Sequence, residues 1–183
     1  MFARLFRRNI EADATASAIY GAIVAQARHP ALYADLGVAD TVDGRFEMVV
    51  LHTILVLDRL QAGGEAEKAV GQKVFDLYCT DMDRSLREMG IGDLGVPKRM
   101  KRMTEAFYGR AAAYRAALAA ANRSALAEVI ERNVFRGAAP ASMAASLAAY
   151  VLASAKGLAG TPGLAVPLAF ADPATFASAG VAA

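Results

Sequence analysis

Apolar residues recur along most of this chain every three or four positions, and no two-residue alternation stands out before residue 161. That spacing belongs to amphipathic helices rather than strands. It predicts helices over 14–28, 44–61, 65–89, 97–119, 124–136 and 141–158, with a short extra helix over 30–36. The breaks agree with the periods: His29-Pro30, Gly63-Gly64, the glycines between 90 and 95, and Gly137 with Pro140. Residues 161–183 are rich in Gly, Pro, Ala and Ser, with Leu164, Val166, Leu168 and Phe170 at alternate positions. An extended tail is expected there, either strapped over apolar surface or loose. The pattern reads as all-α, a single-domain bundle of about six helices with an extended C-terminal tail, divided into residues 1–13, 14–160 and 161–183.

The faces of two neighbouring helices carry most of the functional signal. Val70, Val74, Tyr78, Met82, Leu86 and Met89 form the apolar arc of one, with Asp76, Asp83 and Arg87 opposite. At about 100° per residue Asp81 falls on the edge of that arc, beside Val74 and Ser85. A carboxylate placed there is expected to be partly buried and hydrogen-bonded. In the next helix Met100, Met103, Phe107, Ala111, Tyr114 and Leu118 make the buried stripe, and Lys98, Arg99, Lys101 and Arg102 fall outside it. Cations there are unfavourable, because a helix N-terminus already carries partial positive charge; each costs a few tenths to about 1 kcal/mol. The bland explanation is a solvated face balanced by Glu88, Asp93 and Glu105. The other is an anionic partner, whether RNA phosphate, lipid headgroups or an acidic protein segment. Phe107-Tyr108 is expected to divide between core and surface, leaving Tyr108 as an interface anchor.

Composition narrows the classes. The 183 residues are 56% hydrophobic and 21% charged, which argues against disorder. A net charge of +2 does not mark the whole chain as a nucleic-acid binder, so a partner for DNA is not expected and any anion binding must be local. The one cysteine, Cys79, excludes an internal disulfide and fits a reducing compartment. No secretory signal is visible, since Arg4, Arg7 and Arg8 are followed by Glu11 and Asp13 rather than an apolar core. The best membrane-span candidate, 143–155, stops at Lys156, short of the roughly 18 to 20 apolar residues needed. Phe2, Leu5 and Phe6 with those three arginines form a small basic amphipathic start. It either touches an anionic membrane surface or packs on the body.

Catalytic chemistry is sparse. His29 precedes a proline, and His52 lies inside the apolar run Val-Val-Leu-His-Thr-Ile-Leu, where a core histidine is the expected reading. No second His or Cys stands at metal-ligand spacing, so neither a metal nor another cofactor is expected. Gly90, Gly92 and Gly95 follow a helix rather than a strand and lack the Gly-Lys-Ser/Thr of a phosphate loop; they read as a helix C-cap and turn. No acid, base and nucleophile converge, and an enzyme is not expected.

The stretch 81–110, with its Leu-Arg-Glu-Met-Gly-Ile-Gly-Asp-Leu centre and closing Phe107-Tyr108-Gly109-Arg110, resembles the ubiquinol–cytochrome c chaperone family, the assembly factors of the cytochrome bc1 complex. Asp40-Thr41 and Gly44-Arg45-Phe46-Glu47 are similar to a second block of that family. The resemblance implies a non-enzymatic, all-helical chaperone for newly made cytochrome b. By position it implies a binding surface of Lys98, Arg99, Lys101, Arg102, Tyr108 and Arg110. Asp81, Asp83, Arg84, Arg87, Glu88 and Asp93 would shape or balance that surface. Relatives in mitochondria work at the inner membrane with a small helical partner and near the ribosome. This chain lacks a long targeting extension and is expected to be bacterial, in the cytoplasm or peripheral on the cytoplasmic face of the inner membrane. The alternative function is an RNA- or ribosome-associated module using the same cations.

Overall fold

The computed structural model describes residues 2–161 and 166–179, with side chains from Ile10 to Ala177. Helices α1 (Phe2–Ala27), α2 (Pro30–Ala34), α3 (Val42–Gln61), α4 (Glu65–Glu88), α5 (Val96–Ala119), α6 (Arg123–Ile130) and α7 (Ala141–Gly160) follow one another, with a π-helical turn (Glu131–Phe135) after α6 and a 3-10 turn (Pro173–Ala179) near the end. No strand occurs among the described residues. The all-α class follows from the 3.6-residue period, and α3 shows why the bundle closes. Twelve of its twenty residues are buried, too many for one face, so it is the central helix. Helices α1, α4, α5 and α7 pack around it.

The segment 40–47 starts α3. Thr41 caps the helix, its hydroxyl accepting from the Gly44 N–H at 3.1 Å. Gly44 is required by space: a Cβ there would stand 2.0 Å from the Ala39 carbonyl oxygen. Asp40 accepts from the Arg45 guanidinium at 2.6 Å across the cap. Helices α1 and α4 run side by side in the same direction, as Asp13 pairs with Lys73 and Tyr20 with Asp81.

Three features differ from the periodicity. Helix α1 starts at Phe2, not at 14, so the basic opening is continuous with it. The side chains of residues 2–9, including Phe2, Leu5 and Phe6, lie outside the described part, as do Leu164 and Pro162. The helix expected over 124–136 widens into the π turn, whose end carries Arg136 in the left-handed region (φ 53°). The widening buries Val134 and Phe135 and brings Arg136 to Asp43 and Glu47. The tail is extended only in part before its 3-10 turn. There it lies as a strap: Ala171 N–H donates to Ser154 Oγ, the Gln26 amide donates to Ala171 O, and Phe170 and Phe176 edge against His52 and Tyr150.

Candidate functional site

Helix α4 ends in a Schellman closure. Gly90 takes φ +81°, its N–H bonds Arg87 O at 2.9 Å, and Ile91 N–H reaches Leu86 O at 3.1 Å. Charges on this end of α4 neutralise one another. Arg87 bonds Asp83 at 2.6 Å and also grips Asp93 across the turn, while Arg84 bonds Asp81 and approaches Glu88 at 4.0 Å. Asp81 is 23% exposed and accepts from the Tyr20 hydroxyl at 2.8 Å, as its place on the edge of the apolar arc requires. Burial, reinforced by that bond, raises the Tyr20 hydroxyl far above the phenol range.

Helix α5 behaves differently. Val96, Phe107, Ala111 and Tyr114 are buried, with Met100 and Met103 half-buried on the same stripe, and Lys98, Arg99, Lys101 and Arg102 are all exposed. The ion pairs decide whether this face is internally balanced. Glu88 turns to Arg84 and Asp93 to Arg87, which leaves Glu105, 3.9 Å from Lys101. Lys98, Arg99 and Arg102 have no carboxylate partner among the described residues. Four cations therefore share one weak, exposed pair worth well under about 1 kcal/mol.

Arg110, two turns further along, is not part of that face. It is 19% exposed, and its guanidinium bonds both carboxylate oxygens of Glu47 at 2.9 and 2.6 Å. Glu47 is 2% exposed and also draws Arg136 to 3.6 Å. This fork joins the two sequence blocks, 40–47 and 81–110, into one unit and fixes α5 on α3. Burial raises the hydroxyls of Tyr78 and Tyr114, both within the field of this pair. In the sequence Glu47 stood only as the last residue of the 40–47 block, with no role of its own. Its signal was a carboxylate on the apolar side of α3, in line with Leu51 and Ile54.

Below the cations a groove of about 850 Å³ runs between α3, α4 and α5. Leu57, Phe75, Phe107, Tyr108 and Leu118 line it, and the Arg115–Asp58 pair (2.5 Å) sits in its wall. Tyr108 is 57% exposed while Phe107 is buried, the division expected of that pair. Tyr108 stands seven positions after Lys101, so these two share one side of α5, while Arg99 and Arg102 lie further round the helix. The groove gives the basic face an apolar neighbour.

The model of the ubiquinol-cytochrome C chaperone family matches residues 34–166, which include both blocks and this whole face. The chain belongs to the ubiquinol-cytochrome C chaperone family. A crystal structure of the Cbp3 homolog from Brucella abortus is similar over 94% of this chain and 98% of its own, at 41% identity and a TM-score of 0.85. No curated protein matches the chain. A ubiquinol-cytochrome C chaperone role follows from the family, and with it a non-enzymatic one. In this family member His52 is wholly buried. Its Nδ1–H donates to Met48 O at 2.7 Å, Nε2 accepts from the Tyr150 hydroxyl at 2.6 Å, and burial lowers its pKa to about 4. Cys79 is half-buried, and burial raises its thiol pKa. Among the described residues no group of three His, Cys, Asp or Glu is placed to hold a metal. Helix α7 is long and apolar enough to cross a membrane, yet Leu147, Tyr150, Val151 and Leu158 bury its inner face in the core.

Proposed function

We propose that the chain is an assembly chaperone for the cytochrome bc1 complex that holds newly made cytochrome b against the α4–α5 face. The observation that carries this reading is the juxtaposition on one helix of unneutralised cations with the groove lined by Phe75, Phe107 and Tyr108. A client destined for a membrane needs apolar contact for affinity and charge for steering, and α5 offers both in sequence. Lys98, Arg99, Lys101 and Arg102 steer; Tyr108 anchors at the groove rim. Arg110 holds α5 in place through Glu47, and the paired set Asp81, Asp83, Arg84, Arg87, Glu88 and Asp93 stiffens the turn. Work on the cytoplasmic face of the inner membrane, alone or with a small helical partner or the ribosome, fits this arrangement.

The test is a pull-down from detergent-solubilised membranes after Lys98, Arg99, Lys101 and Arg102 are each changed to Glu. Loss of cytochrome b from the captured material, with lowered bc1 levels in the cell, is expected. Retained cytochrome b at normal bc1 levels would remove the client role from these cations. An RNA- or ribosome-associated module would use the same cations, but leaves the groove without purpose. Its mark is affinity that falls steeply with salt, by close to one ion per phosphate contact.

A further inference from the structure

Leu94 is 99% exposed, at the third position of the turn that Gly92 O and Gly95 N–H close at 2.8 Å. This turn is built, not slack. Arg87 holds Asp93, the residue beside Leu94, and the Schellman closure fixes Gly90 and Ile91. The leucine is thus held outward. Met89, 57% exposed, flanks it at the end of α4, and Lys98, Arg99, Lys101 and Arg102 follow within two helical turns.

In water each part of this tip is unfavourable. The leucine and methionine leave apolar surface wet, and the cations oppose the positive end of α5 and find almost no carboxylate. One kind of surface relieves both at once: a layer of phosphates lying over hydrocarbon. We propose that the α4–α5 turn is a membrane-docking tip, with Leu94 entering the acyl region of an anionic bilayer and Lys98, Arg99 and Arg102 on its headgroup phosphates. RNA would satisfy the cations and leave Leu94 and Met89 in water. The groove begins at Phe107, beyond the cations along α5, and stays open while the tip rests on lipid. This inference does not depend on which client the groove holds.

Full-length protein is mixed with vesicles of phosphatidylcholine alone or with about a third phosphatidylglycerol, and bound protein is measured by sedimentation. The expected result is binding to the anionic vesicles only, weakened by salt. Leu94→Asp should lower the partition constant roughly tenfold, and Lys98→Gln with Arg99→Gln and Arg102→Gln should abolish the preference for anionic lipid. Leu94→Asp should still capture cytochrome b from detergent extracts, which separates the lipid contact from the client contact. In a Cys79→Ser background, an environment-sensitive dye on Leu94→Cys should shift to the blue on anionic vesicles alone. The proposal is overturned by wild-type protein that ignores anionic vesicles, whether or not RNA then binds the cations. It is equally overturned by Leu94→Asp binding like wild type, or by loss of binding only in Phe2→Asp with Phe6→Asp.

Discussion

Arg102 and Arg110 stand two turns apart on the same helix and meet opposite fates. Arg110 folds inward onto a buried carboxylate and spends both arms of its guanidinium there. Arg102, with Lys98 and Arg99, faces outward with no carboxylate among the described residues. The difference lies in the partner. Glu47 comes from the central helix and is buried beneath Arg110, so removing Arg110 leaves a desolvated carboxylate with only the longer contact to Arg136. The outward cations only burden the start of α5. One helix thus separates a cation that organises the fold from cations that the fold merely tolerates.

The largest expected effect tests the inner pair. Glu47→Ala or Arg110→Ala should lower the unfolding free energy by about 3–5 kcal/mol in urea titrations, and a double-mutant cycle should show strong coupling between them. A loss below about 1 kcal/mol from either would place Arg110 with the surface cations. Next comes His52, buried neutral on the far side of α3. Its pKa falls from 6.5 to about 4 on folding. The unfolded chain therefore takes the proton first: stability is full above pH 6.5 and declines as pH falls towards 4. The span corresponds to roughly 3 kcal/mol. Subtracting the urea stability of His52→Gln from that of wild type across this range isolates the term, and a flat difference would refute it. Tyr20→Phe should cost about 1 kcal/mol by calorimetry, since Asp81 keeps Arg84 when it loses the hydroxyl. The smallest effect has the opposite sign. Lys98→Glu or Arg99→Gln should raise stability by a few tenths of a kcal/mol while weakening client capture. A measurable loss of stability would mean that these cations have structural partners after all.

Much of the helix layout was legible because helices such as α4 and α5 carry one apolar stripe, whereas α3 and α7 are apolar over most of their surface. The run Met100, Met103, Phe107, Ala111, Tyr114 marks α5 and throws its cations outward by arithmetic alone. Asp81 was readable for the same reason, as a carboxylate on the edge of an arc. Arg110 was not. Its fate depends on Glu47, sixty-three residues away, and periodicity says which way a side chain points without saying what it meets. The π turn was hidden too, because its widening is driven by Val134, Phe135 and Arg136 finding places on other helices. Whether Glu88 and Asp93 would neutralise the basic turn was open in the sequence. Geometry decides it, by giving both to arginines of α4.

The strap also sets an order of events. Gln26, near the end of α1, donates to the backbone of Ala171, and Phe170 covers the ring of His52 from α3. Until residues 168–176 have been made, this seam stays open, because nothing earlier in the chain supplies these contacts. The histidine and the tyrosine beneath it are sealed only when the closing residues emerge. A segment more than a hundred residues downstream is therefore what covers the seam between α1 and α3.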